Sequence, residues 1–231
     1  MLNDSFRFGS VTPVSPTTTN LVAWYELEDA TDSHTGGYDL TNDDSVTFTS
    51  GKNGNAGTFD GSTNHLYRTD EAALSITGAQ TWACWVKLSS VSAESIPAMA
   101  KYTSSGNQRG MFLGANLSSQ EVIGILSSSG SFEAENKVFS GVYLELDVWT
   151  HICVTFIPST SFNIYVGGFH KGSTVSGPSS IHDSTAPLTI GSYNNEWSHW
   201  DGQIDDACIF DKALSLAEIK WLAAGNTFGG L

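Results

Sequence analysis

The run Thr81 to Leu88, TWACWVKL, limits the folds open to this chain more than any other stretch. It is apolar on both faces over much of its length, so it belongs at the centre of a sheet. Other apolar runs are short and separated by polar turns: Leu21 to Leu27, Leu66 to Arg68, Val122 to Leu126, Trp149 to Ile157, Phe162 to Val166, Leu188 to Ile190 and Gln203 to Phe210. In Trp149 to Ile157, period-two alternation puts Ile152, Val154 and Phe156 on one face. Serial short strands with Gly and Ser turns predict an all-β sandwich or barrel. A chain of 231 residues, 40% of them hydrophobic, can fill the core of one such domain.

Two stretches depart from the strand pattern. Ser215-Leu216-Ala217-Glu218 is a capping box, with Leu214 and Ile219 placed for a hydrophobic staple and Gly225 at the stop position, so a short helix is expected from about Leu216 to Ala224. Residues 1–20 read as an extended arm or linker: VTPVSPTTTN, from Val11 to Asn20, holds two prolines and four threonines. Phe6 and Phe8 alternate with polar residues, as in a segment that docks as a strand. The body of the domain is then residues 21–231.

Charge and cysteine usage narrow the function classes. The formal net charge is −14, which argues against a nucleic-acid surface or an anionic membrane surface, since both need clustered Lys and Arg. The acidic excess serves solubility or binds divalent cations; both readings stay open. Cys84, Cys153 and Cys208 are too few and odd in number for a disulfide framework, and each lies in an apolar run, so buried free thiols are expected, with a single bridge as the alternative. Met1 to Ser10 show neither the basic start nor the apolar run of a leader, and no stretch is long enough to span a bilayer. The histidines 34, 65, 151, 170, 182 and 199 fall into no zinc-binding spacing. His151, on a strand beside Trp149, reads as a packed structural residue.

Four segments, taken in order, resemble the laminin-G-like family of concanavalin A-like sandwiches. Leu21-Val22-Ala23-Trp24-Tyr25 with Asp32-Ser33 is similar to its opening strand and turn, although His34 and Thr35 come before Gly36. Gly51 to Ser62, GKNGNAGTFDGS, is similar to its G-x-x-G-x-A-x-x-F-D-G-S stretch. TWACWVK from Thr81 and WTHICVT from Trp149 are similar to two central strands, and Gly202-Gln203-Ile204-Asp205-Asp206 with Ala213-Leu214-Ser215 and Glu218-Ile219 to its closing segment. The likeness covers about residues 21–225 and has no counterpart for the arm. It implies an antiparallel β-sandwich jelly roll with one short C-terminal helix and an extended N-terminal arm. Of function it implies little, because one sandwich can carry many unrelated sites.

Three constellations could carry chemistry. If Ala207 and Ile209 face the core, period two places Asp205 there too, and a buried carboxylate must be paired, hydrogen-bonded or metal-bound. Either Asp205 accepts backbone amides from a nearby loop, or it ligates one structural calcium ion together with Asp29, Asp32 and Asp206. Asp60, in the FDG turn, reads as a turn-forming residue. The loop Tyr193-Asn194-Asn195-Glu196-Trp197 combines aromatic faces with amides and a carboxylate, as sugar recognition requires. Trp200 beside it reads as core. Tyr102 to Arg109 is a second polar loop with no role assigned. A glucanase E-x-D-x-x-E strand is absent: Glu145-Leu146-Asp147 is followed by Thr150 where the second Glu would stand.

The sequence therefore points away from an enzyme and towards a surface-recognition or structural subunit. The leading expectation is a virion protein, decorating a capsid or sitting in a tail appendage. Its sandwich would bind glycans, and its arm would hold a homo-oligomer or a larger viral or surface assembly. The alternatives are a free or secreted carbohydrate-binding module and, behind it, a glycan-cleaving enzyme. In each case the location expected is a virion or an extracellular surface, with neither nucleic acid nor membrane insertion.

Overall fold

The computed structural model describes residues 11–42, 44–90, 96–116, 119–132, 135–193 and 198–229. Fourteen strands follow in chain order: β1 (Leu21–Tyr25), β2 (Thr47–Ser50), β3 (Asn55–Asp60), β4 (Leu66–Arg68), β5 (Gln80–Leu88), β6 (Ile96–Thr103), β7 (Gln108–Asn116), β8 (Glu121–Ser127), β9 (Glu135–Tyr143), β10 (Thr150–Ile157), β11 (Ser161–Val166), β12 (Phe169–Val175), β13 (Leu188–Ile190) and β14 (Asp201–Phe210). One helix, α1 (Leu216–Ala223), comes after them. The strands form two antiparallel sheets. The larger runs β12-β11-β10-β5-β14-β3-β2, with β1 also paired to β14; the smaller runs β4-β13-β6-β7-β8-β9. This is the jelly-roll sandwich expected. No helix among the described residues is long and apolar enough to cross a membrane.

Side-chain alternation divides the apolar residues among three clusters. Between the sheets lie Trp82, Cys84 and Val86 of β5, the triplet Ile152, Val154 and Phe156 of β10, and Met111, Leu113 and Ala115 of β7. On the outer face of the larger sheet, Trp24, Ala83, Cys153, Tyr165, Cys208 and Phe210 pack against Leu214, Ile219 and Leu222 of the α1 region. A third, small cluster sits on the outer face of the smaller sheet. TWACWVKL is thus a central strand with both faces covered. All three cysteines are buried and free.

The C-terminal helix begins as its capping box specifies: Ser215 Oγ accepts the Glu218 amide, and the Glu218 carboxylate accepts the Ser215 amide at 2.7 Å. Gly225 ends it at φ +78°. Ahead of β1, residues 11–17 form no regular element; Pro16 is buried, and the Val14 amide donates to the Ala217 carbonyl at 3.1 Å.

One expectation fails inside β14. Strict alternation would put Asp205 on the core face with Ala207 and Ile209. Instead Ile204 and Ala207, three residues apart, both enter the inter-sheet core. The register with β5 slips between Asp205 and Cys208, and Asp206 has φ +47°, which marks a β-bulge. The extra residue turns the Asp205 carboxylate away from the inter-sheet core, towards the turn between β2 and β3.

Candidate functional site

The outer face of the smaller sheet carries an unusual combination of side chains. Ala100, Phe112 and Ile125 stand opposite one another on β6, β7 and β8, and Lys137 of β9 continues the row. With Ile123 they form a buried apolar floor. Half-buried Tyr102 and Tyr193 pack on it. Their rings meet edge to face at 5.7 Å and 75°, and Tyr102 meets Phe112 at 6.1 Å and 67°.

A charged network lies beside the tyrosines. The Glu135 side chain is only 2% exposed, yet it faces Arg109 Nε at 3.4 Å and Lys137 Nζ at 3.1 Å. It also accepts the Tyr102 hydroxyl. Burial, then the nearby Glu135 carboxylate, push the Tyr102 hydroxyl well above its ordinary pKa, so it stays a donor. Arg109 is tethered in turn, because its amide and guanidinium both donate to the Gly130 carbonyl, at 3.3 and 3.4 Å. Glu135 Oε2 and Arg109 Nε are buried and have no hydrogen-bond partner among the described residues. Over this network projects Phe132, 61% exposed, with the Arg109 guanidinium 5.9 Å and Lys137 Nζ 5.1 Å from its ring centroid.

The arrangement offers an exposed aromatic face, two cationic donors and a fixed carboxylate on a dry floor. Aromatic faces bind the C–H side of a pyranose or furanose ring, and fixed polar groups around them orient its hydroxyls. Of the expected ligand loop, Tyr193 is in this site; Asn194, Asn195, Glu196 and Trp197 lie outside the described residues. Ser192 and His199 form a β-bridge, and Trp200 is fully buried, donating to the Lys87 carbonyl at 3.3 Å. Tyr102 to Arg109 is less a loop than the tight connection between β6 and β7, and its two ends pair directly. Phe132, Glu135 and Lys137 escaped the sequence reading because strand pairing, not spacing, brings them together with Tyr102 and Arg109. The one local signal was that Glu135 and Lys137, two apart on a strand, share a face.

Each of the four carboxylates expected around calcium has hydrogen-bond partners of its own in this structure. Asp205 Oδ2 accepts the Lys52 and Asn53 amides at 2.7 and 2.9 Å, and its Oδ1 accepts the Asp206 amide at 2.8 Å. Gly51 permits this approach, since a Cβ there would lie 2.6 Å from Asp205 Oδ2. Burial nevertheless raises the Asp205 carboxyl to about 7, against the pull of the Asn53 and Lys52 amides. Burial also raises Asp206, which accepts the Asn53 side chain, to about 6. Asp32 accepts the Trp24 and His34 amides on one oxygen, both at 3.0 Å, and the Tyr38 amide on the other at 3.1 Å. Asp29 is exposed and bonds Thr31, whose hydroxyl and amide hold its pKa down. Among the described residues no group of three or more His, Cys, Asp or Glu side chains is placed to hold a metal ion. For Asp205 the backbone-amide reading is the one the geometry follows. Asp60 likewise accepts the Ser62, Thr63 and Asn64 amides of its own turn.

Glu145 and Asp147 are exposed in the connection before β10 rather than aligned on a strand. His151 is buried against Trp85, and burial lowers its pKa to about 3, so it is neutral and structural.

The comparisons with known proteins agree with this architecture. A family model described as the concanavalin A-like lectin/glucanases superfamily matches residues 60–220. No curated protein matches the sequence. Among solved structures, the chain is similar to the binding domain of Paraclostridial Mosquitocidal Protein 1, with TM-score 0.73, 13% identity and coverage of 90% of this chain and 52% of that one. It is similar to domain 4 of AbnA, a GH43 extracellular arabinanase from Geobacillus stearothermophilus in complex with arabinotriose, with TM-score 0.69, 16% identity and coverage of 88% and 98%. It is also similar to the receptor binding domain of the botulinum neurotoxin C/D mosaic serotype, with TM-score 0.70, 14% identity and coverage of 91% and 52%. The chain thus spans about half the length of those toxin domains. At such identities the likeness establishes the fold.

Proposed function

The chain belongs to the concanavalin A-like lectin/glucanases superfamily, and from that premise we propose that it is a non-catalytic glycan-recognition module whose binding face is the outer side of its smaller sheet. The observation that carries this reading is the exposed Phe132 ring, with the Arg109 and Lys137 cations near it and the Tyr102–Tyr193 pair in the same network. Phe132 stacks on a sugar ring. Lys137 and Arg109 donate to its oxygens, and the Glu135 network fixes both cations in place. The similar structures are consistent: one is a domain solved with arabinotriose, and two are toxin binding domains. Glycoside hydrolysis generally needs two carboxyl groups about 5–9.5 Å apart across the bond. The network described above contains one carboxylate, and that one is held by a tyrosine, an arginine and a lysine.

The test is a glycan array probed with the full chain and with Phe132→Ala and Tyr193→Ala. Saturable binding that both variants weaken at least about tenfold, with the fold intact by circular dichroism, supports the site. Unaltered binding in both variants removes it.

Attachment to a virion or other surface assembly is a second reading, supported by the exposed apolar residues Val11 and Val14 in the arm. Light-scattering chromatography of the full chain against a version starting at Asn20 tests it: an oligomer that dissociates on truncation supports the arm as an assembly device.

A further inference from the structure

The cationic groups of the proposed glycan face are donors, the Lys137 side chain 39% exposed and the Arg109 side chain 12%. The chain has 10 Lys and Arg against 24 Asp and Glu, yet Arg109 and Lys137 converge on the single ring of Phe132. The carboxylate that faces them, Glu135, is 2% exposed and ion-paired with both, whereas the Lys137 side chain is 39% exposed. The Tyr102 hydroxyl is also committed, to Glu135. Ammonium and guanidinium groups donate and cannot accept. A neutral sugar presents hydroxyls, which donate as well as accept and are best met by a mixed set. Two cationic donors beside an aromatic face, set against one buried anion, match a ligand rich in acceptors and negatively charged. Charge-assisted bonds from guanidinium or ammonium to a carboxylate are about twice as strong as neutral ones. The acidic remainder of the chain opposes an anion, but beyond about 8 Å that repulsion is screened at physiological salt, so the groups in contact decide.

Resting on the glycan-binding reading above, we propose that the ligand is a carboxylated saccharide: a uronate-type sugar that lays its C–H face on Phe132 and directs its carboxylate to Lys137 and Arg109.

Titration calorimetry tests this, with the full chain and a panel of uronate oligosaccharides, oligogalacturonate and oligoglucuronate. Each is paired with its methyl-esterified, uncharged form. The neutral oligosaccharides arabinotriose and galactotriose complete the panel. The acid form is expected to bind at least about tenfold more tightly than its ester, and the preference to shrink as sodium chloride is raised. Lys137→Gln, at a solvent-facing position, brings the acid-to-ester ratio towards one, while Phe132→Ala weakens both forms. Equal binding of acid and ester, or of acidic and neutral saccharides, overturns the charge selectivity and leaves glycan recognition standing. Binding of none of these saccharides overturns both.

Discussion

The two sheets each turn an apolar surface outward, and the chain treats them differently. On the larger sheet, Trp24, Tyr165, Cys208 and Phe210 are closed over by Leu214, Ile219 and Leu222, with Phe228 edge to face with Trp24 at 5.1 Å. On the smaller sheet, no helix among the described residues covers Ala100, Phe112, Ile123 and Ile125. Two tyrosines, a charged network and the exposed rings of Phe132 and Phe139 surround that floor instead. The same physics drives both, since apolar area must leave water. The first face solves this within the chain and becomes core. The second leaves an aromatic surface with fixed polar groups, which is what a recognition face needs.

The contrast can be broken by mutation. Ile219→Ala, at a fully buried helix position, should cost about 2–5 kcal/mol in urea unfolding, while Phe132→Ala should lie within about 0.5 kcal/mol of the parent. Comparable losses at the two positions would mean that the smaller sheet's outer face is core as well. Glu135→Ala should cost about 1–3 kcal/mol, because it strands Arg109 in a buried setting. The figure stays below that of a fully buried pair because Lys137 is 39% exposed and can turn to solvent. Ser215→Ala should remove about 1 kcal/mol from the closed face through the lost cap.

A pH effect is expected from the larger sheet. The folded Asp205 carboxyl is raised to about 7, so the folded state binds a proton that the unfolded chain, with an ordinary aspartate pKa near 3.9, does not. Stability therefore rises as pH falls from 8 to 6.5. Below 6.5 the sign mixes, because buried His151 is held down at about 3 and the unfolded histidine takes up the proton instead. Asp205→Asn should flatten the melting temperature between pH 8 and 6.5; an unchanged slope would exclude Asp205 as its source. The smallest effect expected is none: chelation with EDTA should leave the melting temperature unchanged, since Asp32 and Asp205 already spend their oxygens on backbone amides. A drop of several degrees would reinstate a calcium ion.

How far the sequence could be read follows the same division. The closed face was legible, because its signals are local: the capping box at Ser215, the staple pair and the two-sided run of β5. The inner face of β10 followed from alternation. Asp205 was misplaced because a bulge breaks the count of two, and Asp206 adopts a left-handed φ that nothing in Ile204-Asp205-Asp206 announces. Strands β2, β3, β6, β7, β9 and β12 were missed. β6 contains Pro97 beside a register shift, and β9 carries Glu135, Asn136 and Lys137, whose polarity reads as a turn. The candidate site rests on β6, β7 and β9. Tyr193 was found from its loop composition, but its partner Tyr102, and the Arg109, Phe132, Glu135 and Lys137 network beside Tyr102, come together through pairing across β6 to β9.

Backbone amide chemical-shift mapping during titration with a saccharide that binds tests the central claim most directly. The account predicts that the shifts concentrate around Tyr102, Arg109, Phe132, Glu135, Lys137 and Tyr193, on the outer side of the smaller sheet. Shifts gathered instead around α1 and the outer side of the larger sheet would contradict it.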